Sequence, residues 1–382
     1  MKITRIDGYP LDFPQDPPWG YAKGWVSSAP ALIIEVYTDE GLSGLGEAYG
    51  PPRAVHAMVR SLCEPLAVGA DPFGTESLWA RMVHEARDFT TSGAALAAIS
   101  AIDIACWDIK GKALGVPVCT LLGGPVRRAL PCYASAIRYL RDPSTSDELA
   151  DPARTASSFA NQGFGAMKMA IGLLEPTRDL ERVKRVRESL GPDVDLIVDA
   201  NQAYQVRQAA DVGRALEDLG VLWFEEPLAP DDLPGLTALR KRLRVPLAGG
   251  EALATRAGFR RVISRHLLDI IVLETGLAGG LTECRKILDM AQAFGIESTM
   301  HGYASVVGTA AALHLAAAMP PPASPAPWTM LPFEYAPEPF SRSGDLALEP
   351  LVCREGVIEV PLDRPGLGVE LDRDALERRL MR

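Results

Sequence analysis

Val198-Asp-Ala-Asn-Gln202, Trp223-Phe-Glu-Glu-Pro227 and Gly249-Gly-Glu251 are the stretches on which the fold of this chain turns. Each follows or closes a short apolar run: Asp195–Asp199, Val221–Glu225 and Pro246–Gly250. A carboxylate stands at the end of each run. Asp199, Glu225 and Glu251 recur every 26 residues, a spacing that fits one strand plus one helix and their connections. Outward from this centre the same rhythm continues. Strands are expected at Leu130–Ala136, Ala166–Ile171, Asp269–Glu274, Ile296–Met300 and Met330–Phe333. Amphipathic or apolar helical stretches separate most of them: Arg178–Leu190, Val206–Leu219, Ala254–Ser264, Thr282–Phe294 and Ser305–Ala318. Eight strands alternating with helices predict an α/β fold in which a parallel sheet closes as a barrel.

The N-terminal part reads differently. Ala31–Tyr37 and Leu42–Ala48, joined by Asp39-Glu-Gly41, predict a β-hairpin. Helices are expected at Ala54–Leu66, Glu76–Glu85 and Ala94–Leu114, the last stopped by Gly115-Val-Pro117. Tyr9–Ser28 is rich in Pro, Gly and aromatic residues and reads as a long loop of the kind that forms lids. The tail from Gly356 to Arg382 carries Pro and Gly clusters and a short helix, and is expected to pack back on the N-terminal unit.

The composition excludes several functions. There are 39 basic and 49 acidic residues, a net charge of −10, which argues against wholesale nucleic-acid binding. No apolar run reaches membrane-spanning length, since even Thr309–Met319 stops at Pro320. The N-terminus, Met-Lys-Ile-Thr-Arg, has no apolar signal-peptide core. The cysteines Cys63, Cys106, Cys119, Cys132, Cys284 and Cys353 form no CxxC pair and no zinc spacing, and read as small buried hydrophobes. A cytoplasmic protein is expected.

Residues at the C-terminal ends of barrel strands form the mouth where chemistry takes place. Three carboxylates converging there would repel one another, and a divalent cation resolves the conflict. Three hard oxygen ligands, with room left for water and substrate, suit Mg²⁺ better than zinc. Asp199, Glu225 and Glu251 are therefore the candidate metal ligands.

Those three motifs resemble the metal-binding motifs of the enolase superfamily, in its mandelate racemase branch. Ala101-Ile-Asp-Ile-Ala-Cys-Trp-Asp-Ile-Lys-Gly-Lys112, Leu121-Leu-Gly-Gly124 and Pro365-Gly-Leu-Gly368 extend the resemblance to nearly the whole chain. The resemblance implies a modified TIM barrel, (β/α)₇β, over residues 129–339. It implies an α+β capping domain formed by residues 1–128 and completed by a C-terminal segment, 340–382. It also implies bound Mg²⁺, a small carboxylate substrate, a homo-oligomer, and abstraction of a proton beside the carboxylate.

At the sixth and seventh strand ends the resembling family carries a carboxylate–histidine dyad; here the residues are Glu274 and His301. Glu274 stands where the family has Asp, and its extra methylene puts the pairing geometry in question. At the second strand the family pattern is Lys-x-Lys. Lys168 matches the first lysine, whereas Ala170 replaces the second, which acts as a base. Lys168 faces the same way as residue 170 but about 6–7 Å deeper, as a charge partner for carboxylates or as a recruited base. Leu277 replaces a lysine of the muconate-cycloisomerising branch, which argues against a cycloisomerase or a dipeptide epimerase. Glu334 resembles an acid that hydrogen-bonds the substrate carboxylate, a role that requires a raised pKa. Asn201 and Glu226 flank the metal ligands and are further site candidates, Asn201 for substrate binding. Trp19, Tyr21 and Lys23 are lid candidates for substrate contact, with Lys23 placed to meet a distal carboxylate. His56 borders the same region.

With one histidine and no lysine at position 170, the leading expectation is dehydration of a small hydroxy acid, a sugar acid, to a 2-keto acid. The alternatives are a racemase or epimerase that recruits Lys168, and a metal-binding homologue that has lost catalysis.

Overall fold

The computed structural model describes residues 1–88, 90, 92–141, 149–319, 331–342 and 345–381. Five strands open the chain: β1 (Ile3–Leu11), β2 (Pro14–Tyr21), β3 (Gly24–Ser28), β4 (Ala31–Thr38) and β5 (Ser43–Ala48). β1, β4 and β5 form an antiparallel sheet. One face of that sheet lies on the helix Gly93–Leu114, whose middle is buried almost throughout. A helix apolar on all sides must be enclosed. Here the sheet presses so close that a Cβ on Gly46 would meet Ala101 O at 2.0 Å, and one on Gly44 would meet Ala105 O at 2.2 Å. Only glycine allows that approach. The helix ends at Gly115, φ 67°, as a left-handed C-terminal glycine should.

The long loop expected over Tyr9–Ser28 is instead built of strands. β1 runs to Leu11, and β2 and β3 form an antiparallel hairpin that docks on β7 (Tyr139–Leu140) through Trp19↔Leu140 and Gly20↔Tyr139. Pro14, Pro17 and Pro18 obscured it. Proline cannot donate to a ladder, and the β2–β3 register is indeed broken between Pro14 and Trp19.

The barrel strands are β6 (Ala129–Ile137), β8 (Ala166–Ala170), β9 (Asp195–Asp199), β10 (Phe224–Glu225), β11 (Leu247–Gly249), β12 (Ile270–Leu273), β13 (Glu297–Met300) and β14 (Phe333–Tyr335). They pair in parallel in the order β13-β12-β11-β10-β9-β8-β6-β14. Runs such as Ile270-Ile-Val-Leu273 are buried along their whole length, as parallel strands covered by helices require. Between β13 and β14 the ring is joined by Thr299 Oγ1, which donates to Pro332 O at 2.9 Å. β14 starts three residues later than expected; Met330 lies outside the described residues. Helices at Pro152–Ala160 and Leu233–Arg240 went unread because each is short and opens on a proline turn.

The two parts are stitched together by buried polar groups. Glu47, at the end of β5, accepts hydrogen bonds from Ser305 N, Ser305 Oγ and Gly308 N at 2.5–2.8 Å. A carboxylate at this helix start is favoured by the helix dipole. Asp103 accepts from Thr282 N, and Trp79 Nε1 donates to Gly279 O. The C-terminal segment returns to both parts. Its short β16 (Val357–Glu359), paired with β15 (Cys353–Arg354), adds antiparallel to β6. Arg373 forms two hydrogen bonds to Glu35 on β4. All six cysteines are unpaired, five of them buried. Among the described residues no helix is long and apolar enough to cross a membrane.

Candidate active site

The strand register brings the expected acids together. Asp199 and Glu225 are paired neighbours at the ends of β9 and β10, and Glu251 follows two residues after β11. The oxygen atoms that these three can offer lie within 4.8 Å of one another, all buried or nearly so. Asn201 fixes Asp199 by a backbone hydrogen bond of 2.8 Å and a side-chain hydrogen bond of 3.1 Å. Trp223 Nε1 donates to Glu225 Oε2 at 3.0 Å. Glu226 takes a hydrogen bond from Gln202 and leaves its buried Oε1 without a partner. Burial pushes the Asp199 carboxyl up to about 6 and the Glu225 carboxyl up to about 7, and raises Glu251 as well; neighbouring acids add to each shift. Three buried carboxylates that resist ionising together, aimed at one point, are a donor set that fits a hard divalent cation.

Lys168 lies on the floor of the same cavity. Its ammonium is 2.8 Å from Glu225 Oε1, 2.7 Å from Glu334 Oε1 and 3.5 Å from Asp199 Oδ2. Burial opposes its charge, but Glu225 and Glu334 outweigh that and raise its pKa well above the usual lysine range. It is held as a charge partner by three acids. Glu334 corrects the expectation of a raised pKa. Burial alone would raise it, yet Lys168 holds the carboxyl down to about 2. Glu334 is thus an anion tied to Lys168, and its Oε2 accepts from Gly302 N at 3.1 Å.

His301 follows β13, and Glu274 follows β12. His301 Nδ1 lies 2.6 Å from Glu274 Oε2, and Glu274 Oε1 takes the Gly276 N–H at 2.6 Å. The longer side chain therefore reaches both the imidazole and the helix start beyond it. His301 Nε2 faces Glu251 Oε2 at 3.3 Å. Burial works against a charged imidazole, but Glu251 and the hydrogen bond to Glu274 push its pKa up to about 10. Tyr49, from the capping domain, packs edge-on to the ring.

Above these groups is a cavity of about 220 Å³, lined by Trp19, Tyr21, Lys168, Asp199, Asn201, Glu251, His301 and Glu334 among others. Lys23 is not there: it sits exposed in the turn between β2 and β3 and is not part of the lining. His56 packs against Gly8 and also stays outside. Leu277 is buried in the core of the capping domain. The roof holds two residues that the sequence reading missed, Arg138 and Arg342. Arg138 stacks 3.8 Å over Trp19, and Arg342 stacks 3.6 Å over Tyr303. Arg138 directly follows the first barrel strand, and the strand-end rule that found the acids applies to it equally. Arg342 lies in an irregular segment and carried no such signal.

The comparisons agree with this architecture. The family described as Enolase C-terminal domain-like matches residues 151–375, and the Mandelate racemase / muconate lactonizing enzyme N-terminal domain matches residues 11–123. The chain is 35% identical to a D-galactarolactone cycloisomerase from Agrobacterium fabrum, covering 98% of each chain. It is 34% identical to an arabinonate dehydratase from Saccharolobus solfataricus, over 88% of this chain and 87% of the other. The crystal structure of a racemase from Streptomyces coelicolor A3(2) with bound magnesium superposes with a TM-score of 0.88 at 29% identity, covering 99% of this chain and 100% of that one. A cycloisomerase among the relatives takes away the force of the argument from Leu277.

Proposed function

This chain belongs to the enolase superfamily, in its mandelate racemase / muconate lactonizing enzyme branch, and from that premise we propose that it is a Mg²⁺-dependent lyase acting on a small sugar acid. Asp199, Glu225 and Glu251 would hold the cation, whose positive charge acidifies the proton beside the substrate carboxylate. His301 Nε2 accepts that proton. Glu274 holds Nδ1–H and so keeps Nε2 aimed into the cavity. With Glu251 committed to a cation, the interaction that most raises the imidazole pKa is gone, and the ring can be neutral. The electron pair of the broken C–H bond forms a C=C bond as the oxygen on the next carbon departs. His301 returns its proton to that oxygen. Water leaves, and the enol product tautomerises to a 2-keto acid. Where the departing oxygen is tethered in a ring, the same step opens the ring instead, which connects the dehydratase and cycloisomerase names among the relatives.

The observation that carries this reading is an asymmetry. His301 is an oriented base on one side. Across the barrel Ala170 offers a methyl group, and Lys168 is occupied by three carboxylates. Racemisation needs a working base on each face; elimination needs one. A cytoplasmic location, and the homo-oligomer that the family resemblance implies, belong to the same proposal.

The test is incubation with Mg²⁺ and a panel of sugar acids in D₂O. It should give a 2-keto acid, with deuterium in recovered substrate at unchanged configuration. His301→Asn should slow exchange by about 10²–10⁴-fold while the Mg²⁺-induced rise in melting temperature persists. Exchange that survives this substitution defeats the assignment of the base. Inverted, deuterated substrate from the wild type would favour the racemase reading.

A further inference from the structure

The roof of the cavity has an unusual charge balance. Arg342 is buried, 7% exposed, and donates from Nη1 to Pro30 O at 3.1 Å. Arg138 donates from Nη2 to Ser135 O at 3.4 Å. The Nε of each is buried and has no hydrogen-bond partner. Neither guanidinium forms an ion pair with a carboxylate among the described residues; the acids of the floor reach Arg138 only at a distance. Both arginines also share one ring. Arg342 lies 3.6 Å and Arg138 5.1 Å from the centroid of Tyr303. Trp19 and Phe340 further enclose Arg138.

Burying a cation without an anion is costly, and placing a second cation beside it adds repulsion. The aromatic faces offset part of that cost, but a ring quadrupole is a weak substitute for a carboxylate. The other buried lysine and arginine side chains among the described residues have acids: Lys168 has three, and Arg182 has Asp179. Two unpaired guanidiniums that line a cavity, held flat by stacking, have the form of a preorganised oxyanion receptor. Arginine forks match a carboxylate with two parallel hydrogen bonds. Asp199, Glu251 and His301 line the same cavity, so a substrate whose reacting end meets these groups can set a second acid group against the two guanidiniums.

We propose that Arg138 and Arg342 form a subsite for a second carboxylate, so that the substrate is a sugar diacid, open or as its monolactone, rather than a sugar monoacid. This rests on the sugar-acid reading above. It adds what neither the strand-end acids nor Lys23 supplies, the group that reads the far end of the substrate.

Calorimetry on the Mg²⁺-loaded protein tests it with matched pairs: tartrate against threonate, glucarate against gluconate, and galactarate against galactonate. In at least one pair the diacid should bind about tenfold more tightly or better, the size of a charge-assisted hydrogen bond. Arg138→Met and Arg342→Met should each bring that diacid-to-monoacid ratio towards one, and Arg138→Lys and Arg342→Lys should restore part of it. The proposal is overturned if no wild-type pair favours the diacid, if no diacid binds, or if the Met variants leave the ratio as it was. Tighter binding of a 6-phosphoaldonate than of any diacid overturns it in favour of phosphate. Because the binding ratio and α-proton exchange are separate readouts, the two proposals fail separately. A diacid that binds tightly without α-proton exchange defeats the elimination reading. Monoacids and diacids turned over without preference defeat the subsite.

Discussion

On the floor of the cavity Lys168 has three carboxylates within 3.5 Å, whereas at the roof Arg138 and Arg342 have none within 4.0 Å among the described residues. The floor is built from strand ends in fixed register, and its charges answer one another before any ligand arrives. The roof is assembled from separate pieces: the residue after β6, the hairpin bearing Trp19, Tyr303 after β13, and Arg342 beyond β14. Its charges meet aromatic faces and one backbone carbonyl each, with no ion pair. A site divided in this way separates two tasks. The rigid half holds what every substrate of the reaction must meet. The half made from connections carries what distinguishes one substrate from another.

The largest break in this comparison should come from the floor. Glu225→Gln and Glu251→Gln each remove one of three charges that justify a divalent cation. Mg²⁺ binding measured by calorimetry should fall below detection, and with it the Mg²⁺-dependent rise in melting temperature that binding to the folded state confers. Binding that remains undiminished in both variants would remove the metal site from this account.

Lys168→Met gives a smaller effect of a different kind. It strands Glu334 and Glu225 in a buried site, and loss of one partner from such a pair costs about 3–5 kcal/mol. Denaturant unfolding in a chelator should show that deficit, and Mg²⁺ should recover part of it by restoring positive charge next to the same acids. A loss below about 0.5 kcal/mol, typical of a surface substitution, would mean that the lysine does not hold the cluster together.

The same division explains what could be read from the sequence. Asp199, Glu225 and Glu251 were legible because a short apolar run that ends in an acid marks both the strand and its end. His301 and Glu274 were legible for the same reason, although only the structure showed that the longer Glu274 spans to Nδ1 and to Gly276 N. The charge state of Glu334 was not legible, because it depends on Lys168 arriving from a strand whose sequence lies far away. The β2–β3 hairpin was hidden by its prolines. Arg342 reaches the cavity only because the chain after β14 folds back over the barrel mouth, and no local pattern announces that path.

The smallest expected effect is at Lys23, and it bears on whether the positive charge of the roof is confined to Arg138 and Arg342. Lys23 was the lid cation suggested by the sequence for a distal carboxylate. It is exposed in a two-residue turn, with its charge in water and outside the cavity lining. An exposed ammonium interacts weakly across solvent and is screened by salt within about 8–10 Å. Lys23→Ala should therefore change stability by less than about 0.5 kcal/mol. It should alter the diacid-to-monoacid binding ratio by less than about twofold, a difference of roughly 0.4 kcal/mol. Arg138→Met in the same assay should exceed that several times over. A tenfold loss of diacid preference in Lys23→Ala would reverse the comparison. It would mean that the hairpin closes over the substrate and carries its turn lysine inward, and that the receptor is formed by the lid as well as by the two stacked arginines.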